Sequence, residues 1–413
     1  MYSEWDPLDE IRYTYGYELK DKKILLIPTG SIAAFKTPEL VRLLIRHGAD
    51  VYILPSREAL KYVSIDTLKW ASGGKVLDGF TYRAEHIYMI KDMDLIAVIP
   101  ATANIISKAA YGIADTDASL AIHSAMGYGK PIVMAPVMHI NMYRNPFYKE
   151  AVNRLEEYGV KFIAPDIKED KAKLRDLNYI KSYLISILTD KILDGLKILV
   201  SAGPTIEYID PVRIITNKSS GKMGVYIAEE AYMMGAKVKL IAGNISINPY
   251  EDLDVTYVET TEEMYYAVME ELSNGYDIFI SASAPVDYRP STTEKNKIES
   301  IERNRLDLEL ILTPKIVSDA RRRFEKLFIV SFKALYNVSN DELYKKALEH
   351  LKRYGFDVVV ANDVARKGVG FQSDENEILI IDSEGNKLFY GRGSKRVLAR
   401  KLLQIVNQIY RSR

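Results

Sequence analysis

The segment from residue 197 to residue 243 constrains the fold of this chain more than any other part of the sequence. It begins as an apolar run, turns at Gly203 and Pro204, crosses a polar loop and continues as an amphipathic helical pattern that leads to a second apolar run. This order predicts a strand, a loop, a helix and a strand, the repeating unit of parallel α/β sheets. The loop is rich in hydroxyl, amide and charged side chains just before the helix, where anions bind. We therefore expect a functional site in a doubly wound domain.

Length, charge and cysteine content limit the class of protein. A chain of 413 residues exceeds what one hydrophobic core usually holds, so we expect two domains. Lys plus Arg and Asp plus Glu both number 56, and this zero net charge argues against nucleic-acid and membrane partners. The absence of cysteine excludes disulfides, thiolate metal sites and a protein thiol nucleophile. With no signal peptide and no apolar run of membrane length, the sequence predicts a cytoplasmic protein.

Short apolar runs alternate with helical patterns in both halves, which predicts two doubly wound, Rossmann-like parallel-sheet α/β domains in tandem. We place the boundary near Gly195: an N-terminal extension over 1–22, a first domain over 23–195 and a second over 196–413. In the second half, strands are predicted over 197–203, 237–243, 254–260, 277–283, 306–313, 328–332, 357–363 and 377–382. No G-x-G-x-x-G follows either opening strand and no Walker motif occurs, so ordinary dinucleotide and P-loop sites are disfavoured.

Small and polar residues follow the predicted strands of the first half. They form the segments Gly30–Lys36 (GSIAAFK), Pro100–Asn104 (PATAN) and Pro136–Met142 (PVMHINM), together with Ser56. The carboxyl ends of parallel strands share one edge of a sheet, and open α/β sheets bind their ligands at that edge. These segments, with His86 ahead of PATAN, resemble the flavin-dependent decarboxylases of the phosphopantothenoylcysteine type.

The resemblance implies an FMN site and a substrate site in the first domain. FMN contacts would come from Gly30, Ser31, Ile32, Ser56, Thr102, Ala103 and Asn104. By the same resemblance His86 would act at the substrate. His139, Asn141 and Met142 would contact the substrate, with His139 in place of an asparagine that the family's bacterial members carry.

The family's decarboxylation chemistry uses a cysteine that this chain lacks. The family oxidises the substrate thiol with FMN, releases CO2 from the resulting thioaldehyde, and reduces the enethiol with the help of a cysteine on a flexible clamp. In the corresponding region this chain has Lys171, Lys173 and Arg175. Two interpretations therefore stay open: a working decarboxylase, and a flavin-binding domain without decarboxylase activity.

The second half matches a different set of motifs over a longer span. Residues Ala202–Gly224 follow the pattern A-G-P-T-x-E-x-I-D-P-V-R and then N-x-S-S-G-K-M-G. Further matching segments follow in order: Ser281–Pro290, Lys297–Ile298, Leu312–Val317, Phe332, Asn362–Asp363 and Phe371–Asn376. Together they resemble the phosphopantothenate–cysteine ligases, which join 4′-phosphopantothenate to cysteine through an acyl-cytidylate made from CTP.

This resemblance implies roles for the matching residues. Asn217 would stabilise the acyl-cytidylate, and Lys297 would serve its formation or its capture by cysteine. A phosphate and substrate loop would comprise Gly203, Asp210, Arg213, Asn217, Ser219, Ser220, Gly221 and Lys222. CTP contacts would come from Ser281, Ala282, Ser283, Asp287, Lys297, Pro314, Lys315, Ile316, Val317, Phe332, His350 and Tyr354. His350 and Tyr354 stand where the family has lysines, so ATP and GTP stay open as alternatives to CTP.

The two resemblances together imply a bifunctional enzyme of coenzyme A synthesis that makes 4′-phosphopantetheine by ligation and then decarboxylation. Mg2+ would accompany the nucleotide, with its protein ligands unassigned. Because the family's flavin sites form where subunits meet, we expect a homo-oligomer with trimeric contacts in the front domain and dimeric contacts in the back. A third interpretation, an NAD-linked oxidoreductase, is disfavoured by the missing glycine fingerprint.

Overall fold

The computed structural model describes residues 8–80, 85–250, 252–299, 305–370 and 372–413. The chain divides into two compact units, Met1–Thr189 and Asp190–Arg413. Leu193 is buried in the core of the second unit, and its N–H donates to the carbonyl of Met234 at 3.0 Å. The boundary predicted near Gly195 therefore lies a few residues inside the second unit. Phe371, part of the last ligase-like segment, lies outside the described residues.

The first unit alternates strands and helices along the chain, as predicted. Its strands are β1 Lys23–Leu26, β2 Asp50–Ile53, β3 Leu95–Ala101, β4 Ile132–Pro136, β5 Met138–His139, β6 Lys161–Phe162, β7 Asp166–Lys168 and β8 Lys171–Lys173. Its α-helices are α1 Thr37–Arg46, α2 Ile65–Ser72, α3 Glu85–Asp92, α4 Ala103–Ala110, α5 Asp117–Gly127, α6 Ile140–Tyr143, α7 Pro146–Glu157 and α8 Leu177–Leu188. Strands β3 and β4 are buried along their whole length, as expected for parallel strands covered by helices on both faces.

The strand order of the first unit creates a crevice at one position. Its parallel sheet has the order β2-β1-β3-β4-β6. The chain passes from β1 outward to β2 and then crosses to the opposite side at β3, so the connections diverge between β1 and β3. Open sheets bind ligands at such a switch point. A separate antiparallel sheet, β5-β8-β7, pairs His139 with Lys171.

The predicted N-terminal extension, residues 1–22, is part of the first unit over its described residues. Leu8 and Leu19 are buried, and the N–H of Leu19 donates to the carbonyl of His47 at 2.9 Å. The His47 ring, just after α1, lies 2.8 Å from the carboxylate of Glu18. These contacts fasten the segment to the end of α1 and give His47 a structural role.

The second unit is built around a larger sheet. Its strands are β9 Lys197–Pro204, β10 Ile206–Tyr208, β11 Ile214–Thr216, β12 Lys237–Ala242, β13 Asp254–Tyr257, β14 Ile278–Ala284, β15 Tyr288–Pro290, β16 Leu310–Leu312, β17 Phe328–Leu335, β18 Val358–Asp363, β19 Glu375–Asp382 and β20 Lys387–Ser394. Its α-helices are α9 Lys222–Met233, α10 Thr261–Ser273, α11 Ile316–Arg323, α12 Asn340–Tyr354 and α13 Lys395–Arg411. Capping boxes start α10 at Thr260 and α12 at Ser339, where the sequence has a glutamate three residues later.

The second sheet has the order β13-β12-β9-β14-β17-β18-β19-β20. Its first six strands are parallel, so the chain runs outward from β9 to β13 and then outward in the other direction from β14 to β18. Helices α9 and α13 cover one face, and α10, α11 and α12 cover the other. The doubly wound architecture predicted for both halves is confirmed, with the switch point of this sheet between β9 and β14. Among the described helices, none is long and apolar enough to cross a membrane.

Two features of the second unit differ from the strand predictions. The run 306–313 is predicted as a strand of the sheet, but its extended part, β16, pairs with β15 in a separate antiparallel hairpin. The exposed, alternating residues of this run fit a hairpin as well as a sheet edge. Strand β20 was not predicted, and it pairs antiparallel with β19 at the edge of the sheet. Its apolar stretch, Leu388–Tyr390, is short, and the two glycines that follow weaken the strand pattern in the sequence.

Two glycines bring helix α9 close to strand β9 and the loop that follows β12. An added Cβ at Gly224 would lie 2.6 Å from the Cβ of Ala202, and one at Gly221 would lie 2.5 Å from Cγ2 of Ile245. Gly221 also has a φ of 73°, a left-handed conformation that glycine adopts most readily. The start of α9 is therefore held against the carboxyl end of β9.

We expect Gly224→Ala to destabilise the second unit. The added methyl group has no space against Ala202, and overpacking of this kind costs about 1–3 kcal/mol of unfolding free energy. Urea unfolding followed by circular dichroism measures the change.

The matched control is Gly127→Ala at the exposed end of α5, where an added Cβ has no atom within 4 Å among the described residues. This variant should keep or slightly raise the unfolding free energy, because alanine favours helix more than glycine does. Equal unfolding free energies for the two variants would contradict the close packing of α9 on β9.

Candidate active sites

A cavity of about 470 Å3, here named the front cavity, opens at the carboxyl ends of β1 to β4 in the first unit. Most of the predicted FMN contacts line it, namely Gly30, Ser31, Ser56, Thr102, Ala103 and Asn104. It lies at the switch point between β1 and β3, and its volume is within the range of small-molecule sites. The structure thus brings together residues that are far apart in the sequence.

Hydrogen bonds tie the ends of β1 and β3 together at the front cavity. The hydroxyl of Thr29 donates to the carbonyl of Pro100 at 2.8 Å, and the N–H of Thr102 donates to Thr29 Oγ1 at 3.0 Å. Helix α4 begins at Ala103 on the cavity wall. Its positively polarised start therefore faces the space in which an anion would bind.

Some predicted residues of the first unit do not line the front cavity. These are Ile32, His86, His139 and Asn141. Ile32 is 67% exposed, so its side chain points away from the protein. The His86 ring lies 5.5 Å from that of Phe80, and its buried Nδ1 has no hydrogen-bond partner among the described residues. Met142, by contrast, which is predicted to contact the substrate, lines the front cavity.

His139 is held at the start of α6 with a defined proton position. Its Nδ1 accepts the N–H of Asn141 at 3.3 Å. A neutral imidazole that accepts at one nitrogen carries its proton on the other, so Nε2 of His139 is the donor. The side chain is exposed and therefore accessible to a ligand.

The hairpin of β7 and β8 carries the cations found where the resembling family has its cysteine. Lys171 pairs across the strands with His139. Lys173 lies 2.5 Å from a carboxylate oxygen of Glu169, and Arg175 is also ion-paired within the hairpin region. Of the three cations, Lys171 is thus the one placed beside a predicted substrate residue.

Two adjoining cavities open at the carboxyl edge of the second sheet. The loop cavity, about 380 Å3, is lined by Asn217, Ser219–Lys222 and the end of β14, including Ala282 and Ser283. The helix cavity, about 270 Å3, is lined by the start of α11 and by the end of α12. Its predicted residues are Ser281, Ser283, Asp287, Pro314, Lys315, Ile316, Val317, Phe332, His350 and Tyr354. The cavities meet at the carboxyl ends of β14 and β17, beside the switch point between β9 and β14, and ligands of such folds bind at this edge.

Asn217 links the polar loop after β9 to the end of β14. Its Nδ2 donates to the carbonyl oxygens of Ala284 at 3.0 Å and Pro285 at 3.1 Å. Both amide hydrogens are used by these two bonds, and Oδ1 remains as an acceptor. The exposed side chain lies on the wall of the loop cavity, so this acceptor can meet a ligand.

His350 contributes a neutral ring to the helix cavity. Its Nε2 lies 3.1 Å from the hydroxyl of Ser331, and its ring contacts those of Tyr354 and Phe356 at 5.1 Å and 5.3 Å between centroids. Burial, together with the nearby charge of Lys333, lowers the pKa of His350 to about 4. At neutral pH this side chain therefore lacks the positive charge of the lysine it replaces.

Four predicted ligase residues line neither cavity. They are Gly203, Asp210, Arg213 and Lys297. Asp210 is fully buried and accepts the N–H groups of Val212 at 2.8 Å and of Ile298 at 3.1 Å. Burial opposes its ionisation, but these N–H donors and the Arg213 guanidinium hold its pKa well below the ordinary value. Asp210 thus fastens the segment that carries the exposed Lys297 to the polar loop.

Two lysines that sequence reasoning missed line the loop cavity. Lys333 follows the predicted nucleotide residue Phe332 at the end of β17. Lys395 starts α13, is buried, and donates to the carbonyl of Gly370 at 2.8 Å. Burial and the charge of Lys222 lower its pKa to about 8. For Lys333, a charged residue directly after an apolar strand is a signal that could have identified it.

Two family models cover most of the chain. "Flavoprotein" matches residues 12–189, and "DNA/pantothenate metabolism flavoprotein C-terminal domain" matches residues 193–410.

Relatives match this chain over nearly its whole length. The "Coenzyme A biosynthesis bifunctional protein CoaBC" of Thermococcus kodakarensis is 40% identical to this chain over 94% of this chain and 96% of its own length. The protein of the same name from Methanocaldococcus jannaschii is 35% identical over 98% of each chain. A crystal structure of the C-terminal domain of a CoaBC protein matches with a TM-score of 0.45 and 28% identity, covering 54% of this chain and 100% of that one.

In the His350→Gln variant, the unfolding free energy of the second unit should depend less on pH under acidic conditions than in the wild type. The folded pKa of about 4 lies below the unfolded value of about 6.5, so the unfolded chain binds more protons between these pH values. Folding stability from this group is thus complete above about pH 6.5 and declines as the pH falls toward 4. Urea midpoints measured across this range for the wild type and the variant test the prediction.

The control for this experiment is His139→Gln, at an exposed histidine of the first unit. It should leave the pH dependence of the second unit unchanged. If His350→Gln and the wild type lost stability in parallel between about pH 6.5 and about pH 4, the neutral, buried state of His350 would be wrong.

Proposed function

This chain belongs to the coenzyme A biosynthesis bifunctional protein family, which joins a flavoprotein decarboxylase domain to a ligase domain, and we propose how its residues divide the two reactions. The second unit would first join 4′-phosphopantothenate to L-cysteine with CTP as the activating nucleotide. The first unit would then decarboxylate 4′-phosphopantothenoylcysteine to 4′-phosphopantetheine. The observation that best supports the ligase part is that the loop and helix cavities adjoin at the carboxyl ends of β14 and β17, beside the switch point of the second sheet.

Ligation requires a leaving group, because a free carboxylate is a poor acyl donor. In the proposed reaction a carboxylate oxygen of phosphopantothenate attacks the α-phosphorus of CTP, and pyrophosphate leaves with the electron pair of the broken P–O bond. The cysteine amine then attacks the acyl carbon, CMP leaves, and the amine loses a proton to solvent. With the nucleotide in the helix cavity and the acid in the loop cavity, the reacting groups meet where the cavities adjoin.

Asn217 and the start of α11 are placed to orient these groups. Because two carbonyls hold the Nδ2 of Asn217, its Oδ1 suits an N–H of the incoming cysteine amine. Helix α11 begins on the wall of the helix cavity, and its positively polarised start suits the nucleotide. Asp287, paired with Lys315 at 2.5 Å, fixes the mouth of the same cavity.

Mg2+ would enter with the nucleotide. Within the ranges that the structure describes, no group of three or more His, Asp or Glu side chains is placed to hold a metal ion. Magnesium often binds through substrate phosphates and waters with one or two carboxylates. Asp287 lines both cavities and so fits a position beside a nucleotide-bound ion.

The front cavity fits a flavin mononucleotide. The hydroxyls of Ser31, Ser56 and Thr102 and the start of α4 suit a phosphate group. Gly30 lets the turn after β1 lie close to Glu58 on the cavity wall, because a Cβ at this position would lie 2.5 Å from the Cβ of Glu58. When bound, FMN would accept two electrons from the substrate thiol and return them after CO2 is lost.

His139 and Lys171 would act on the substrate in the first unit. The Nε2–H of His139 suits a substrate carboxylate, since Nδ1 already accepts a backbone N–H. Reduction of the enethiol requires a proton that the resembling family takes from a cysteine. Lys171, opposite His139 in the strand pairing, is the group that would hold this proton at Nζ.

A second copy of the chain would complete the flavin site. His86, His139 and Asn141 line no part of the front cavity within one chain, and the latter two are exposed. We place trimeric contacts in the first unit and dimeric contacts in the second. Light scattering of the purified protein measures the size of the oligomer.

The purified protein, given 4′-phosphopantothenate, cysteine, CTP and Mg2+, should form 4′-phosphopantetheine, which mass spectrometry identifies. A metal chelator should stop ligation, because the triphosphate is then unneutralised, while supplied phosphopantothenoylcysteine is still decarboxylated. Accumulation of the carboxylated conjugate would favour a flavin-binding domain without decarboxylase activity. Faster pyrophosphate release with ATP or GTP would overturn the assignment of CTP.

Lys171→Met should slow enethiol reduction on the order of 10²-fold, because a general acid is lost. Loss of CO2 should continue, so a product two hydrogens lighter than phosphopantetheine accumulates and is resolved by mass. Lys168→Met, an exposed position on the paired strand, is the control. Unchanged enethiol turnover in Lys171→Met would remove this lysine from the reaction.

A further inference from the structure

Lys333 lies at the point where the two cavities of the ligase unit meet. The residues that line both cavities are Ser283, Pro285, Asp287, Phe332 and Lys333. Of these, Lys333 is the one with a positive charge. It stands at the carboxyl end of β17, next to the switch point of the sheet, on a strand that is buried up to Ser331.

Other cations that line the two cavities have acceptors of their own. Lys222 lies 2.5 Å from a carboxylate oxygen of Asp374, Lys315 pairs with Asp287, and Lys395 donates to a backbone carbonyl. Lys333 is half-buried and, within the described residues, makes no hydrogen bond or ion pair. An ammonium that faces a cavity and has no acceptor in the protein is available to pair with a bound anion.

His350, which lines the helix cavity near Lys333, adds no second positive charge. His350 is neutral at physiological pH, and the charge of Lys333 contributes to keeping it so. Among the residues that line both cavities, Lys333 is therefore the one that carries a positive charge.

We propose that Lys333 contacts the α-phosphate of the bound nucleotide and stabilises the charge that develops there while the acyl-nucleotide forms. This inference rests on the proposed ligase function. Because the nucleotide occupies one cavity and the acid the other, the phosphorus that both share must lie at their junction. Lys333 is the cation at that junction, so it is a catalytic residue of the ligation.

Formation of the acyl-nucleotide needs no reactant other than the carboxylate and the nucleotide. A carboxylate oxygen forms a bond to the α-phosphorus, the bond to the β-phosphate oxygen breaks, and pyrophosphate keeps its electron pair. No electrons move between the protein and the substrates, and Lys333 keeps its proton throughout. Its contribution is a fixed positive charge beside the oxygens of the five-coordinate phosphorus, where the negative charge increases.

Lys333→Met and Lys333→Arg test the proposal in the full-length protein. Pyrophosphate release is measured with phosphopantothenate, cysteine, CTP and Mg2+, and the decarboxylation of supplied phosphopantothenoylcysteine is measured in separate samples of the same preparations. Lys333→Met should lower kcat for pyrophosphate release on the order of 10²-fold, as does the loss of one charge-stabilising donor elsewhere. Lys333→Arg should recover part of this loss because it keeps the charge. The control, Lys346→Met, removes an exposed lysine of α12 that is ion-paired with Glu349 and should match the wild type.

Several outcomes would overturn the proposal. One is a Lys333→Met protein that releases pyrophosphate at the wild-type rate, and another is a loss confined to the KM for CTP, since uniform binding does not lower the barrier. A changed urea midpoint of the second unit in both Lys333 variants, with no rescue by arginine, would indicate a structural role instead. A wild-type protein that releases no pyrophosphate would contradict the proposed ligase function itself, which separates the two failures.

Discussion

Both units depend on one constraint: parallel strands with diverging connections leave a crevice at their carboxyl ends. In the first unit the crevice lies between β1 and β3, and in the second between β9 and β14. Such strands are covered by helices on both faces, so their sequence is mostly apolar and becomes polar towards the carboxyl end, where the crevice opens. The polar loop that follows β9 and the SASAPVD segment at the end of β14 show this change within a few residues. The same short stretches of chain therefore end the packed core and carry the polar groups of the site.

The second unit concentrates charge at its sheet edge although the chain carries no net charge. Lys222 and Lys395 begin α9 and α13, and these two helices are fastened to each other by buried ion pairs. Arg396 pairs with Glu230 at 2.9 Å, and Arg400 pairs with the same carboxylate at 2.7 Å. Buried pairs of this kind add little net stability, and we interpret the cluster as fixing how the two helices align. That alignment sets where both lysines stand in the loop cavity.

The features that could be predicted from the sequence are those set by neighbouring residues in the chain. Strands and helix starts follow from apolar runs that end in glycine or hydroxyl residues, so the front cavity and the loop cavity were assembled largely from the expected segments. Two features that were not predicted depend on pairing rather than on a local apolar pattern. Strand β20 is extended because it pairs with the adjacent strand β19, and Asp210 holds the polar loop because the N–H of Ile298, far along the chain, donates to it. The position of Lys333 between two cavities depends on the packing of several elements and could not be read from the sequence.

We propose that the second unit activates a carboxylate as an acyl-nucleotide at the junction of two cavities, and ligation with phosphopantothenate that carries 18O in its carboxylate is the decisive experiment. If the carboxylate attacks the α-phosphorus, one labelled oxygen remains on the phosphate of CMP, and mass spectrometry of CMP detects it. Label found in pyrophosphate or in free phosphate, with unlabelled CMP, would exclude attack by the carboxylate at the α-phosphorus.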